Sequence, residues 1–322
     1  MLILAVFTHY LRINSKDIVM TTSPTVSANP QSILEDVQQV VVKDQYVNLE
    51  APIRLTGSLN VAALLSDMNK AETAPAESSD IVLQIGVDEA GRGPLLGDVV
   101  VAAAILPRAW SGEIEDQPLH GTALAILTDS KKLSEKKRDL LYPLIQQQAL
   151  GYVVAEVPAV VIDQVNILQA TMLGMRLCTE QLLDSVLVEI QAAGASATNS
   201  DSNKTMNTVD NAKLKVELLF DGNHCPEFDF AKFAALGLHP EQIDLQAWVK
   251  GDGRHTSIAA ASVLAKVGRD LGMYEMAKKY PQFGIEQHKG YPTKAHLAAI
   301  AEHGVLPAHR RSFGPVRRAL EG

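Results

Sequence analysis

Cysteine is almost absent from this chain. Its 322 residues include two, Cys178 and Cys225, whose positions form no spacing pattern. That excludes a disulfide framework and a cysteine-based zinc site, and makes a reducing compartment the default. Long apolar runs are missing too. No uninterrupted stretch is long enough to span a bilayer. The apolar residues 1–7 are too few for a signal-peptide core and have no basic residue before them. The expectation is a soluble, cytoplasmic, monomeric protein with no membrane partner. Basic charge is in deficit: 29 Lys+Arg against 37 Asp+Glu give a formal net charge of −8, which by itself speaks against a nucleic-acid partner. No internal repeat is found.

What is present is an ordinary globular composition, 47% hydrophobic and 20% charged, long enough for one large domain or two small ones. The charge is unevenly spread. Residues 1–80 carry 5 basic and 9 acidic side chains, whereas 285–318 carry 6 basic and 2 acidic, with four histidines besides. A local patch, not the total, decides phosphate binding.

Residues 1–80 mix short apolar patches with Ser, Thr, Asn, Ala and Pro, and are expected to form a disordered or weakly ordered extension with a short helix near 32–42. A catalytic domain is expected over 81–322. β-Branched runs at 81–87 and 99–106 flank a Gly/Pro turn and predict a buried, hairpin-like strand pair. Further strands are predicted at 152–157, 214–220 and 243–249. Helices are predicted at 134–150 with Ser134 as N-cap, and at 167–191, 256–280, 294–302 and 316–320. The Ala/Ser/Asn/Thr-rich stretch 192–212 reads as a flexible insertion. Alternating strands and helices define an α/β class with a helical C-terminal part.

Asp88 and Glu89 sit at the end of the first apolar run. Carboxylates at a buried strand end are unfavourable unless something compensates their charge, and a metal ion is the usual partner. Asp221 closes a second predicted strand and Asp252 follows a third. Ligands in α/β sheets collect where strands end. Several carboxylates in one cleft repel one another, and hard divalent cations such as Mg²⁺ or Mn²⁺ relieve that repulsion. Two such ions about 4 Å apart would clamp the attacking and leaving oxygens of a phosphodiester. The alternative is that strand-ending acids merely cap turns.

Gly91, Arg92 and Gly93 form a turn that lacks the third glycine and following helix of a dinucleotide loop. It reads as backbone able to approach a ligand closely, or as a plain hairpin turn. Ser130, Lys131 and Lys132 offer hydroxyl and ammonium contacts to phosphate, or simply open a solvated helix. Lys289 and Tyr291 lie on a Gly/Pro turn suited to stacking on a sugar or base, with a buried tyrosine as the alternative. Arg310 and Arg311 offer guanidinium groups for phosphate, or form a solvated basic tail.

These motifs, taken in order, resemble the ribonuclease HII family. The resemblance runs from about 85 to 320 and includes GVDEAGRGP from Gly86, DSKKLS from Asp129, NILQATM from Asn166, DGN from Asp221, KGD from Lys250, IAAAS from Ile258, HKGYPT from His288 and RRSFGP from Arg310. It implies a ribonuclease H-like mixed sheet flanked by helices. The implied activity is an endonuclease that hydrolyses the RNA strand of RNA–DNA hybrids and cuts 5′ of single ribonucleotides in duplex DNA. Two divalent ions, Mn²⁺ or Mg²⁺, would be held by Asp88, Glu89, Asp221 and Asp252, and the products would carry 3′-hydroxyl and 5′-phosphate ends. It also implies that Gly91, Arg92 and Gly93 read the ribose 2′-OH, the group that separates RNA from DNA, and that Tyr291 stacks on the next sugar. Lys131, Lys132, Lys289, Arg310 and Arg311 would hold phosphates. Residues 1–80 and 192–212 look like additions to the family pattern. The last six residues show no aromatic clamp-binding motif, so no tethering to a sliding clamp is expected there.

Overall fold

The computed structural model describes residues 31–38, 41–42, 45–46, 53–72, 80–198 and 213–322. Its chain opens with strand β1 (Gln31–Gln38), a two-residue ladder of β2 (Val41–Val42) with β3 (Gln45–Tyr46), then β4 (Ile53–Asn60) and helix α1 (Val61–Glu72). The central hairpin follows as β5 (Ile81–Ala90) and β6 (Val99–Ile105). Next come α2 (Glu135–Gln148), β7 (Gly151–Val157), α3 (Ala159–Val165) and α4 (Ile167–Thr198). The second half comprises β8 (Leu214–Asp221), α5 (Phe230–Ala235), β9 (Ile243–Trp248) and α6 (Thr256–Lys279), then α7 (Ile285–His288), α8 (Lys294–His303) and α9 (Gly314–Glu321). Among the described residues no helix is long and apolar enough to cross a membrane.

Seven strands form one mixed sheet in the order β1-β4-β7-β6-β5-β8-β9. The run from β1 to β5 pairs antiparallel, while β8 and β9 join β5 in parallel. Every residue of β6 is buried, as expected for a strand covered on both faces. Its odd positions Val99, Val101, Ala103 and Ile105 enter the core shared with α1 and α4. Its even positions Val100, Ala102 and Ala104 meet α2 and α6, the period of two that a pleated strand imposes. Small residues on that second face let α6 lie close. Backbones approach closely at Gly86, where a Cβ would stand 2.1 Å from the Ser257 carbonyl carbon. That glycine fixes the start of α6 beside the strand that carries Asp88. A smaller core of Leu95, Leu96, Met273, Phe283, Ile300 and Val316 secures the C-terminal helices beneath the turn after β5.

The structure corrects two expectations about order. Residues 53–72 are not a loose leader. Ile53, Leu55 and Leu59 alternate inward along β4, and Leu64 and Met68, one helical turn apart, bury the same side of α1. β4 pairs with β7 over six residue pairs, so this part of the 1–80 segment extends the catalytic sheet. Residues 31–38 form a strand on β4 and not the expected helix, because pairing to an open sheet edge overrides weak local preference. The rest of 1–80 lies outside the described residues. In the stretch 192–212, α4 continues to Thr198; its Ala-rich composition favours helix as readily as flexibility. The remainder, 199–212, also lies outside the described residues.

Candidate active site

The four acids arrive from three parts of the fold. Asp88 and Glu89 belong to β5 itself, which runs three residues further than the apolar run 81–87. Asp221 is the last residue of neighbouring β8. Asp252 lies in a short 3-10 turn, Gly251–Gly253, between β9 and α6. The acids are joined through Asp221 Oδ1, which accepts the Gly251 N–H at 2.7 Å.

Asp88 is 1% exposed and Asp252 3%. Burial, then Glu89 and Asp221, push the Asp88 carboxyl well above the usual range; the Ser262 hydroxyl and the Glu89 amide oppose the rise. Burial also raises Glu89, against the pull of Arg92, whose Nη1 lies 3.3 Å from Oε1. Burial with Asp221 and Asp129 lifts Asp252 to about 6. The Lys131 ammonium stands 3.9 Å from Asp252 Oδ2. Burial works to lower its pKa, but Asp88, Asp252, Asp221 and Asp129 raise it overall.

Asp88 Oδ2 and Asp252 Oδ2 are buried and accept no hydrogen bond. Among the described residues, no three carboxylate, histidine or cysteine groups already form a closed ligand cage. The arrangement is an open cleft of mutually repelling hard oxygen donors, two of them buried without hydrogen-bond donors. Those are donors suited to a divalent cation of the Mg²⁺ or Mn²⁺ type.

Not every residue expected at the site reaches the cleft. Arg92 and Gly93 are exposed on the turn after β5, and Gly93 faces Tyr291 closely enough that a Cβ would stand 3.4 Å from Tyr291 Cε1. The Tyr291 ring is 45% exposed. Lys131, Lys132 and Arg311 are exposed. Half-buried Lys289 places its ammonium 3.6 Å over the Tyr274 ring and donates to the Glu286 carbonyl.

Ser130 is buried, and its hydroxyl hydrogen-bonds Ser262 Oγ at 2.7 Å, so it supports Asp88's partner from behind. Arg310 is 0% exposed, and its guanidinium donates to the carbonyls of Gly91, Arg92, Pro94 and Gly97. Each of its nitrogens is engaged by backbone. Ser262 and Arg269 were given no site role from sequence. Ser262 lay in a quoted motif, whereas only a lone arginine in an alanine-rich helix could have flagged Arg269.

A mixed sheet whose adjacent strand ends gather buried carboxylates beside exposed cations describes a metal-dependent phosphodiester hydrolase of the ribonuclease H-like class. The family model for Ribonuclease HII matches residues 85–226 and 232–316. A ribonuclease HII of Psychrobacter arcticus (strain DSM 17307 / VKM B-2377 / 273-4) is 54% identical over 302 residues, covering 94% of this chain and 100% of its own. That of Psychrobacter sp. (strain PRwf-1) is 50% identical over 285 residues, 85% of this chain and 89% of its own. The ribonuclease H2 from Pyrococcus horikoshii OT3 aligns over 74% of this chain and 97% of its own at 25% identity, with a TM-score of 0.46. This chain belongs to the ribonuclease HII family. It is accordingly a metal-dependent ribonuclease H, an endoribonuclease for RNA–DNA hybrids.

Proposed function

We propose that this chain also cuts duplex DNA on the 5′ side of a single embedded ribonucleotide, leaving 3′-hydroxyl and 5′-phosphate ends. The observation that carries the reading is the placement of exposed Gly93 against the exposed Tyr291 ring, three residues beyond the strand that holds Asp88 and Glu89. Backbone N–H groups there can donate to a 2′-hydroxyl while the ring covers the adjoining sugar.

Asp88, Glu89, Asp221 and Asp252 would hold two divalent ions, Mg²⁺ or Mn²⁺, with Asp88 as the shared ligand. When bound, such ions supply the positive charge that activates water and stabilises the departing oxygen. The chain's own groups do the rest. Lys131 keeps its proton beside the acids and can neutralise a phosphate entering the cleft. Lys132, Lys289 and Arg311 form the outer contacts to the nucleic-acid backbone. Ser262 holds Asp88 in place, with Ser130 behind it.

The test compares a DNA duplex carrying one ribonucleotide with the all-DNA duplex, with and without Mg²⁺ or Mn²⁺. Cutting of the first alone, on the 5′ side of the ribonucleotide and only with metal, is expected. Equal cutting of both duplexes, or none of either beside normal hydrolysis of a long hybrid, would sink the reading.

A further inference from the structure

We propose that Arg310 is the positioning residue that aims the backbone donors of the Gly91-Arg92-Gly93 turn at the ribose, and so sets the preference for ribonucleotides. This rests on the reading that the turn recognises the 2′-hydroxyl. Arg310 Nη2 binds the Gly91 carbonyl at 2.6 Å; Nη1 binds those of Arg92 at 2.9 Å and Pro94 at 2.8 Å; Nε binds that of Gly97 at 2.9 Å. Its own amide donates to the Leu95 carbonyl at 2.8 Å. Arg269 takes the carbonyls of Leu96 and Asp98, each at 3.4 Å, and also that of Lys289 at 2.9 Å. From Gly91 to Asp98, only the Gly93 carbonyl is left out of this grip.

The consequence follows from peptide geometry. In a trans peptide the C=O of one residue and the N–H of the next point in opposite directions. Turning the Gly91 and Arg92 carbonyls inward to Arg310 therefore turns the Arg92 and Gly93 N–H groups outward. Those two amides have no partner among the described residues, and both residues are exposed. Two guanidinium groups buried within reach of each other are an unfavourable choice for stability alone. Burial, then Arg269, lower the pKa of Arg310 to about 9. Gly91, at φ +96°, is required for the same reason: a Cβ there would stand 2.1 Å from Arg269 Nε. Through the Lys289 carbonyl, Arg269 also ties the turn to the loop that bears Tyr291.

The test measures binding in chelator, without cleavage, of a duplex with one ribonucleotide and of the all-DNA duplex. Wild type should prefer the first. Arg310→Lys, which keeps the charge but not the fork, should lose that preference by about tenfold, the effect of one misplaced hydrogen bond. Its all-DNA affinity and its Mn²⁺-induced rise in melting temperature should stay as in wild type. An unchanged preference in Arg310→Lys overturns the proposal; no preference in wild type overturns the 2′-hydroxyl reading beneath it. Hydrogen exchange on the wild-type protein decides the matter even if the variant fails to fold. The Arg92 and Gly93 amides should exchange freely in the unbound protein and slow only with the ribonucleotide duplex. Protection in the unbound protein, or equal slowing by all-DNA, overturns the proposal.

Discussion

Replacing Asp252 by Asn should stabilise the metal-free protein and abolish cleavage. Burial, with Asp221 and Asp129, lifts the Asp252 carboxyl from 3.8 to about 6. At 1.36 kcal/mol per pH unit, that is roughly 3 kcal/mol held against the ionised folded state. Between 3.8 and 6 the folded protein keeps a proton that the unfolded chain has released. Stability therefore falls as the pH rises through that window, and the whole penalty stands above it. Asn keeps the shape and removes the charge. The pull of Lys131, 3.9 Å away, is already part of that shift. The expected gain is therefore about 3 kcal/mol, or roughly 6 °C in melting temperature for a chain of this size. Calorimetry in chelator at about pH 8 should show it, and the gain should shrink towards zero near pH 4. Added Mn²⁺ should raise the wild-type midpoint and move the variant much less. A variant that melts at or below wild type in chelator would refute the burial-and-repulsion account. A full Mn²⁺ response would remove Asp252 from the ligand set.

Two further outcomes test the frame around the site. Burial, then His296, holds His309 down at about 4 against an ordinary 6.5, and His288 stacks on His296 in the same cluster. The neutral His309 stabilises fully above 6.5 and loses that contribution, about 3 kcal/mol, as the pH falls towards 4; the difference in unfolding free energy between wild type and His309→Gln should narrow across that window. Gly86→Ala drives a Cβ into the backbone of Ser257 and should cost about 3 kcal/mol in urea unfolding. It should also depress cleavage, because the start of α6 must move away from Asp88.

Some of this was legible in the sequence for physical reasons that others lacked. The uninterrupted, partly β-branched apolar run of β6, preceded by a Gly/Pro turn, reads as a strand covered on both sides, and adjacent carboxylates closing a buried run point to a site. Residues 53–72 hid because Gly57 interrupts the apolar alternation of β4 and low-complexity segments lie on both sides. Gly57 is itself explained only in three dimensions, where a Cβ would stand 2.3 Å from the Tyr152 carbonyl oxygen. The inward grip of Arg310 is not legible, because an arginine next to another arginine has the composition of an exposed basic patch. Nothing local shows that carbonyls more than two hundred residues earlier need its donors. The Ser130 contact is hidden likewise: its partner Ser262 is 132 residues away.

Helix α6 would keep chemistry and the proposed sugar recognition in register. The turn that carries Asp252 leads into its first residue. Ser262 reaches Asp88 from its second turn. Arg269, seven residues later and so about two turns along the same face, holds the carbonyls of Leu96, Asp98 and Lys289. One element thus touches the acid cluster, the turn after β5 and the Tyr291 loop, and Gly86 seats it against β5. Sliding α6 along the strand would displace Asp252 and the Arg269 grip together. A small shift at Gly86 must then reduce turnover and ribonucleotide preference at once, whereas a lesion at Arg310 separates them. A Gly86 variant with weakened turnover but intact preference would show that the two halves of the site are seated independently.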